Sequence, residues 1–220
     1  MKRKPLTWTL AIQWSQAAHA NFLDALMASA DWGGKQFAFH GGTSLHLSWN
    51  SVRYSEDLDF LLSREVKDVD RVVVKTMVLV REQFRAIDPL LAVDFKDRST
   101  DPSRMLSYNL TVSHPGYVGN AMVKVEFWRT SDTYLQQYPT EFRTPSPQGG
   151  VIARVMNPEP AASPETAYAD KLTAFATRPY LKWRDLYDLW WIGTQSQSRL
   201  DVETVAAQFL HNVKAYDTID

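Results

Sequence analysis

Two aspartates stand at alternate positions in an apolar stretch, and of all the residues they are the best placed to do chemistry. Asp57 and Asp59 flank Leu58 and precede Phe60. Because side chains alternate along a strand, carboxylates two residues apart point to the same face. Neighbouring carboxylates repel each other unless a cation lies between them. The pattern therefore predicts a bound divalent cation, and Mg²⁺ is the simplest one that takes hard oxygen ligands.

A glycine pair precedes the aspartates by about the length of a short helix. Phe37–His40 is predicted to be a buried strand, and Gly41 and Gly42 permit a sharp turn in which a ligand can approach the backbone. The backbone N–H groups and the hydroxyls of Thr43 and Ser44 can then bind phosphates. The alternative is an ordinary tight turn. That alternative leaves an aspartate unpaired on a strand that looks buried, which is expensive.

These motifs together resemble the nucleotidyltransferase superfamily, and most closely the AbiEii/AbiGii toxin family of bacterial abortive-infection toxin–antitoxin pairs. The likeness rests on Gly-Gly-Thr-Ser-Leu, on an Arg-x-Ser at Arg53 and Ser55, and on Asp-Leu-Asp-Phe, and it extends over about residues 37–192. It implies an α+β fold with a DNA polymerase β-like mixed sheet flanked by helices. It also implies nucleotidyl transfer from an NTP with two Mg²⁺ ions, or Mn²⁺ in their place, and a cognate antitoxin or regulator as partner.

The resemblance further implies a third carboxylate on a later strand, and Glu126 is the natural candidate. Glu126 lies in the predicted strand Ala121–Trp128, on the same side as Lys124. Two interpretations of Glu126 stay open. It is either a metal ligand beside the two aspartates or a solvent-facing residue paired with Lys124. Glu141 is the weaker competitor for the metal role.

A second group of charged residues lies towards the C-terminus and resembles conserved segments of the same family. Its members are Lys171, Arg178, Arg184, Asp185 and Asp188. Lys171 and Arg178 are seven residues apart, so they share one helix face if the helix persists. The resemblance implies that Lys171 meets nucleotide phosphates and that Asp185 orients a basic group or the acceptor. The alternative is ordinary surface ion pairing, for example between Lys182 and Asp185.

Three arginines are candidates for contacts with the nucleotide: Arg53, Arg178 and Arg184. For Arg53 a second interpretation, an ion pair with Glu56, is equally open. Trp183, Trp190 and Trp191 could stack on nucleic-acid bases, but packing inside a helical core is the favoured interpretation of all three.

Periodicity and turn signals predict the elements that must hold these residues in position. Helices are predicted over residues 8–30, through the Val-rich run that ends at Ala86, and from an N-cap at Ser163 onward. Strands are predicted at Phe37–His40, Leu58–Leu62, Leu91–Asp97, Leu106–Val112, Ala121–Trp128 and Val151–Val155. Loops are predicted over Pro139–Pro147 and in a proline-rich extended connection that ends at Pro164. The predicted organisation is a core with an N-terminal helix over residues 1–157, followed by a C-terminal helical part over residues 158–220 that covers the active face.

The composition limits the classes of function that remain. The chain has 220 residues, 45% of them hydrophobic, a net charge of −1 and no cysteine. The absence of cysteine excludes disulfides and thiolate metal sites. The net charge is too small to attract RNA to the whole protein, so any RNA must bind a local basic patch. Neither a signal peptide nor a membrane-spanning run is recognised, so we expect a cytoplasmic protein with no membrane partner.

Three functions stay open on the sequence. The first is a toxin that adds nucleotides to RNA, with a tRNA 3′ end as an acceptor that the resemblance suggests. The second is the same chemistry on a small molecule or a protein hydroxyl. The third is a module that binds nucleotide or antitoxin without catalysis.

Overall fold

A mixed β-sheet with helices against it forms the framework of the protein. The computed structural model describes residues 3–33, 35–146, 157–195 and 200–217. Its strands are β1 (Lys4–Pro5), β2 (Phe37–His40), β3 (Leu58–Ser63), β4 (Ala92–Asp97), β5 (Met105–Ser113), β6 (Tyr117–Val118), β7 (Ala121–Thr130), β8 (Thr140–Arg143) and β9 (Glu159–Ala162). Its helices are α1 (Trp8–Ser29), α2 (Gly41–Ser48), α3 (Val69–Ile87), α4 (Asp132–Gln136), α5 (Pro164–Thr177), α6 (Trp183–Gln195) and α7 (Val202–Asp217). The predicted α+β class, a mixed sheet flanked by helices, is confirmed.

The order of the strands puts β3 near the middle of the sheet. Within the described residues the main sheet runs β4-β5-β7-β3-β2-β9-β8, while β1 and β6 form a separate parallel pair. Strand β3 is antiparallel to β2 and parallel to β7. A residue of β3 therefore has neighbours on two different strands, one on each side.

Alternation along β3 separates a hydrophobic face from the face that carries the aspartates. Phe60 is fully buried and its ring stacks against Phe37 and Phe127, with centroids 5.1 and 5.0 Å away. This face packs against α1 and α3, and burying one such ring stabilises the fold by about 1.5–3 kcal/mol. Since neighbouring residues point the opposite way, Asp59 and Leu61 face the other side. Leu61 there joins a second, smaller core that includes Ile192 of α6.

Helix α3 shows why the Val-rich run is a helix and not a strand. Its buried residues recur every three or four positions, at Val69, Val72, Val73, Thr76, Met77, Val80 and Phe84. That spacing lays one apolar stripe along a helix, whereas a strand would bury every second residue. The predicted helix is confirmed, and it begins at Val69, among the charged residues before Val72 that the pattern indicated as its entrance.

Two strands occupy segments for which loops were predicted. Strand β8 lies inside the supposedly loop-rich passage, and β9 inside the proline-rich connection, where it pairs with both β2 and β8. The loop prediction is wrong for β8 because a four-residue strand bounded by prolines carries little periodicity. Strand β9 lies just beyond the predicted boundary at residue 157 and belongs to the central sheet. The predicted strand Val151–Val155 falls outside the described residues.

The C-terminal helices begin where the sequence indicated. Ser163 caps α5, since its Oγ accepts a hydrogen bond from the Thr166 N–H at 3.2 Å, and Pro164 occupies the first turn. Within the described ranges, no helix has both the length and the apolar character needed to cross a bilayer.

Candidate active site

The glycine turn at the start of α2 lies in close contact with side chains of the site. Gly41 has a φ of +79°, and a Cβ there would lie 2.6 Å from Oδ2 of Asp59. At Gly42 a Cβ would overlap the guanidinium of Arg53 and lie 2.8 Å from Oγ of Ser55. Each glycine is therefore required by a different neighbour. Together they let the first turn of α2 approach both the aspartate strand and the Arg-x-Ser motif.

Strand pairing brings three titratable residues into a lateral row. His40 at the end of β2 is the register partner of Asp59 on β3, and Asp59 is in turn the partner of Glu126 on β7. Register partners on neighbouring strands point to the same face of a sheet. Asp57 lies two residues before Asp59, so alternation brings it to this face as well. The acids predicted from the sequence thus gather on one side of the sheet, beside the glycine turn.

Burial and mutual repulsion both raise the pKa values of the two aspartates. Burial, together with the charge of Glu126, raises the pKa of Asp59 to about 6. The pKa of Asp57 is also raised, first by burial and then by the charges of Asp59 and Glu126. Lys171, Lys124 and Arg184 act in the opposite direction on Asp59 but do not cancel these effects. These carboxylates therefore repel one another in a buried place, and the bound cation that the sequence pattern predicted stays a prediction.

Glu126 combines the two interpretations that the sequence left open. Its Oε1 lies 2.6 Å from the ammonium of Lys124, which is the ion pair of the solvent-facing interpretation. Its register position beside Asp59 is the one that the metal interpretation requires. Within the described residues, no three His, Cys, Asp or Glu side chains are arranged to hold a metal ion. Glu141 is excluded as the competitor, because it is exposed on β8, the edge strand beyond β9.

The two hydroxyls after the glycines have different surroundings. Thr43 is fully buried, and its Oγ1 donates a short hydrogen bond to the backbone carbonyl of Asp57. This bond fixes α2 to the residue that leads into β3. Ser44 is also buried, but its Oγ has no hydrogen-bond partner among the described atoms. Their predicted phosphate contacts stay predictions, and of the two only the Ser44 hydroxyl is unengaged.

A buried network of ion pairs joins the C-terminal helices to the loop before β3. The guanidinium of Arg53 binds both carboxylate oxygens of Asp188, with N–O distances of 2.7 and 2.8 Å. Lys171 lies 2.8 Å from Asp188 and 3.3 Å from Asp185. Asp185 also pairs closely with Arg178. Because the two carboxylates are almost completely buried, the network holds α5, α6 and the Arg53 loop in one arrangement.

The network differs from the ion pairs that the sequence suggested. Arg53 pairs with Asp188 and not with Glu56, and the Asp185 carboxylate pairs with Lys171 and Arg178. Helix α5 ends at Thr177, so Arg178 occupies its C-cap in an extended conformation and does not continue the helical face.

Asp188 is a residue whose role sequence reasoning left undecided. It is fully buried and joins Arg53 to Lys171. The available signal was its spacing of three residues from Asp185, which puts both carboxylates on one side of α6. Asp170 was not predicted at all. Its carboxylate accepts hydrogen bonds from Tyr138 and Asn212 and lies 3.9 Å from Nδ1 of His40.

The tryptophans of α6 divide into two groups. Trp191 packs against the second core, as the packing interpretation requires. Trp183 and Trp190 are exposed to 76% and 56%, so the prediction of core packing is wrong for both. Arg184, next to Trp183, is exposed as well, and its charge lowers the pKa of Asp57 and Asp59.

Comparison with known proteins identifies the family and the fold. Residues 22–219 match the family model described as the nucleotidyl transferase AbiEii toxin of the type IV TA system. The fold is similar to that of MenT4, a nucleotidyltransferase toxin from Mycobacterium tuberculosis, with 25% identity, a TM-score of 0.66, and coverage of 96% of this chain and 67% of that one. It is also similar to JHP933 from Helicobacter pylori, with 17% identity, a TM-score of 0.60, and coverage of 97% and 78%. No curated protein matches the sequence.

Proposed function

We propose a reaction for this protein that starts from its family: the chain belongs to the AbiEii family of nucleotidyltransferase toxins of type IV toxin–antitoxin systems. Membership implies a nucleotide substrate and an antitoxin partner. We propose that the chain takes a nucleoside monophosphate from an NTP and attaches it to an acceptor hydroxyl, with a tRNA 3′ end as the acceptor, in the cytoplasm. The acceptor oxygen loses its proton to the solvent and forms a bond to the α-phosphorus. The bond between the α-phosphorus and the oxygen that bridges to the β-phosphate breaks, and pyrophosphate leaves with that electron pair.

The acidic cluster carries this proposal. Asp59 stands beside Glu126 in the sheet, touches the glycine turn and has a pKa raised to about 6. Grouped acids with raised pKa values are typical of sites built for chemistry, since such a group destabilises the fold. A module that bound nucleotide without catalysis would gain nothing from this repulsion.

Two Mg²⁺ ions, for which Mn²⁺ could substitute, fit the donor set of Asp57, Asp59 and Glu126 in chemical type. All the donors are carboxylate oxygens, and their mutual repulsion is what a dication would relieve. Glu126 would have to release Lys124 to take part. When bound, the ions would neutralise phosphate charge and lower the pKa of the acceptor hydroxyl.

The residues around the acids would bind and orient the nucleotide. The N–H groups of the first turn of α2, at Gly41 and Gly42, favour phosphate oxygens, and the Ser44 hydroxyl is the nearest unengaged donor in that turn. The exposed Arg184 would meet the triphosphate as it arrives. Lys171 would offset the charge that develops on pyrophosphate.

Asp185 has the role of a positioning residue in this scheme. It is buried and holds both Lys171 and Arg178 through its carboxylate. Contact with the basic groups is what an orienting role requires, whereas direct contact with the acceptor would need Asp185 to leave its partners.

Labelling by the purified protein tests the proposal. The protein is incubated with each labelled NTP, Mg²⁺ and total tRNA, beside Asp59→Ala and a matched control, Asp94→Ala, which removes an exposed aspartate from β4. We expect label in tRNA with the wild type and with Asp94→Ala, and none with Asp59→Ala. We also expect Asp57→Ala, Asp59→Ala and Lys171→Ala to relieve toxicity when expressed in bacteria.

Two outcomes would contradict the proposal. Equal labelling by wild type and Asp59→Ala would show that the acidic cluster is not needed for the reaction. Labelling of a small molecule or a protein, with no label in RNA, would support nucleotidyl transfer but would show that RNA is not the acceptor.

A further inference from the structure

Helix α6 has an unusual division between its buried and exposed faces. The residues that point inward are Asp185, Asp188 and Ile192, and all three are buried. The opposite side carries Trp183, Tyr187 and Trp190, which are spaced four and three residues apart and so lie along one line. A surface helix normally buries its aromatic residues and exposes its acids. In α6 this arrangement is reversed, because the buried acids serve the ion-pair network.

We call Trp183, Tyr187 and Trp190 the aromatic stripe. The rings of Tyr187 and Trp190 are in contact, with centroids 5.5 Å apart. The surface continues into the loop before α6, where Tyr180 is exposed to 61% and lies 5.5 Å from the ammonium of Lys182. Trp183 and Trp190 are exposed, and Tyr187 between them is half-buried. Neighbouring exposed aromatic rings mark an interaction site more often than a chance feature of the surface.

The charges beside the stripe favour an anionic partner. Lys182 and Arg184 flank Trp183 in the sequence, while the acids of α6, Asp185 and Asp188, are buried and ion-paired. The exposed side of α6 therefore carries positive charge and aromatic rings but no carboxylate. Stacking rings with interleaved cations suit single-stranded nucleic acid, whose bases and phosphates need both. An uncharged protein surface would need neither cation.

Helix α6 is joined to the glycine turn of the site through Arg53. Asp188 of α6 binds the guanidinium of Arg53, and a Cβ at Gly42 would overlap that guanidinium. At about 1.5 Å of rise per residue, the three rings follow one another at intervals of roughly 4.5–6 Å along the helix.

We propose that the aromatic stripe binds the single-stranded end of an RNA acceptor. The bases stack on Trp183, Tyr187 and Trp190, the phosphates meet Lys182 and Arg184, and the terminal hydroxyl reaches Asp57 and Asp59. This inference rests on the proposed function for the identity of the acceptor. The new element of this inference is the surface that binds and selects that acceptor.

Binding of RNA without catalysis tests the stripe. A fluorescent single-stranded RNA of about ten nucleotides is titrated with full-length Asp59→Asn protein, and its anisotropy is followed with and without Trp183→Ala or Trp190→Ala. Loss of one stacked base is worth about 1–3 kcal/mol, so each substitution should weaken binding about 5- to 150-fold. Trp183→Phe and Trp190→Phe should restore most of the affinity.

Trp8→Ala is the matched control, because Trp8 is 79% exposed on α1. It should leave RNA affinity unchanged. In the active protein, the stripe substitutions should raise the KM for RNA and leave the KM for NTP unchanged, a separation that general loss of folding would not produce.

The outcomes separate this inference from the proposed function. If both stripe variants transfer nucleotides to RNA with an unchanged KM for RNA, the stripe does not bind the acceptor, and the proposed reaction still holds. Binding of RNA that depends on the stripe, without transfer to any acceptor, would support the stripe and sink the proposed reaction. Unchanged RNA binding, combined with loss of a purified protein partner from the stripe variants, would make the stripe a protein-docking surface and overturn the inference.

Discussion

Two groups of charged side chains lie in one site, but they differ in how their charges are paired. In the ion-pair network, Arg53, Lys171 and Arg178 surround two buried carboxylates, and every member has a partner. In the acidic cluster, Glu126 pairs with Lys124, while burial and the charges of neighbouring carboxylates raise the pKa of Asp57 and Asp59. The network pairs its own charges, whereas the cluster combines burial with repulsion between like charges, and the cation that would relieve this repulsion stays a prediction.

We expect this difference to separate residues that hold the fold together from residues that take part in the reaction. A buried carboxylate with good partners is costly to remove, because its cations would be left unpaired. A carboxylate that repels its neighbours is held in place by the rest of the fold at a cost in stability. Substitutions in the two groups should therefore change stability in opposite directions.

The largest effect is expected from Asp59→Asn. The amide keeps the shape but removes the charge, so transfer activity should fall at least about 10³-fold, while the loss of repulsion should stabilise the metal-free protein by on the order of 1 kcal/mol. Thermal denaturation in EDTA at pH 7.5 should then show a Tm about 2–4 °C higher than that of the wild type. A lower Tm in Asp59→Asn would mean that the cluster is not strained.

Asp188→Ala should have the opposite effect on stability. Removing this buried carboxylate leaves Arg53 and Lys171 without a shared partner, and the expected loss is about 3–5 kcal/mol of unfolding free energy, measured by urea denaturation. Glu65→Ala is the control, because the ion pair of Glu65 with Lys67 is exposed and such pairs contribute about 0–1 kcal/mol. Similar small losses in both variants would show that the network does not hold the helices.

Gly41→Ala tests the contact that joins the glycine turn to the acidic cluster. A side chain at a φ of +79°, with Oδ2 of Asp59 only 2.6 Å from the new Cβ, should cost about 1–3 kcal/mol and lower activity by displacing the aspartate. Gly33→Ala is the matched control, since a Cβ there meets nothing within 4 Å, and it should change stability by less than about 0.5 kcal/mol. Full activity in Gly41→Ala would show that the close approach is dispensable.

The smallest effect is a pH dependence of stability. The pKa of Asp59 is raised from its ordinary 3.8 to about 6, so between these values the folded protein holds a proton that the unfolded chain has lost. The contribution of Asp59 to stability is therefore present at the acidic end and is lost as the pH rises through about 6. The difference in Tm between Asp59→Asn and the wild type, in EDTA, should widen from pH 4.5 to pH 7. A constant difference would contradict the raised pKa.

Much of the acidic cluster could be predicted from local sequence. Alternation around Leu58 and Phe60 is enough to put Asp57 and Asp59 on one face, because the period of a strand is a property of the backbone. The glycine pair could be predicted to make a turn for the same kind of reason. That Gly41 and Gly42 each avoid a particular side chain became visible only in three dimensions.

The exposed tryptophans show where local reasoning failed. Apolar residues at helical spacing predict a buried stripe, and for Trp183 and Trp190 this prediction was wrong. The reason is that α6 must bury Asp185 and Asp188 against cations from elsewhere in the chain, which turns the aromatic side outward. The pattern of one helix contains no information about those distant cations.

The sequence by itself determined which residues share a face, where the chain turns and which helix starts are capped, because these depend on residues a few positions apart. The tertiary structure alone decided that β7 lies beside β3, so that Glu126 joins Asp59, and that Arg53 meets Asp188 across 135 positions of sequence. Such pairings depend on how the whole sheet and its helices pack, since the free energy of a distant contact includes the ordering of everything between its two ends.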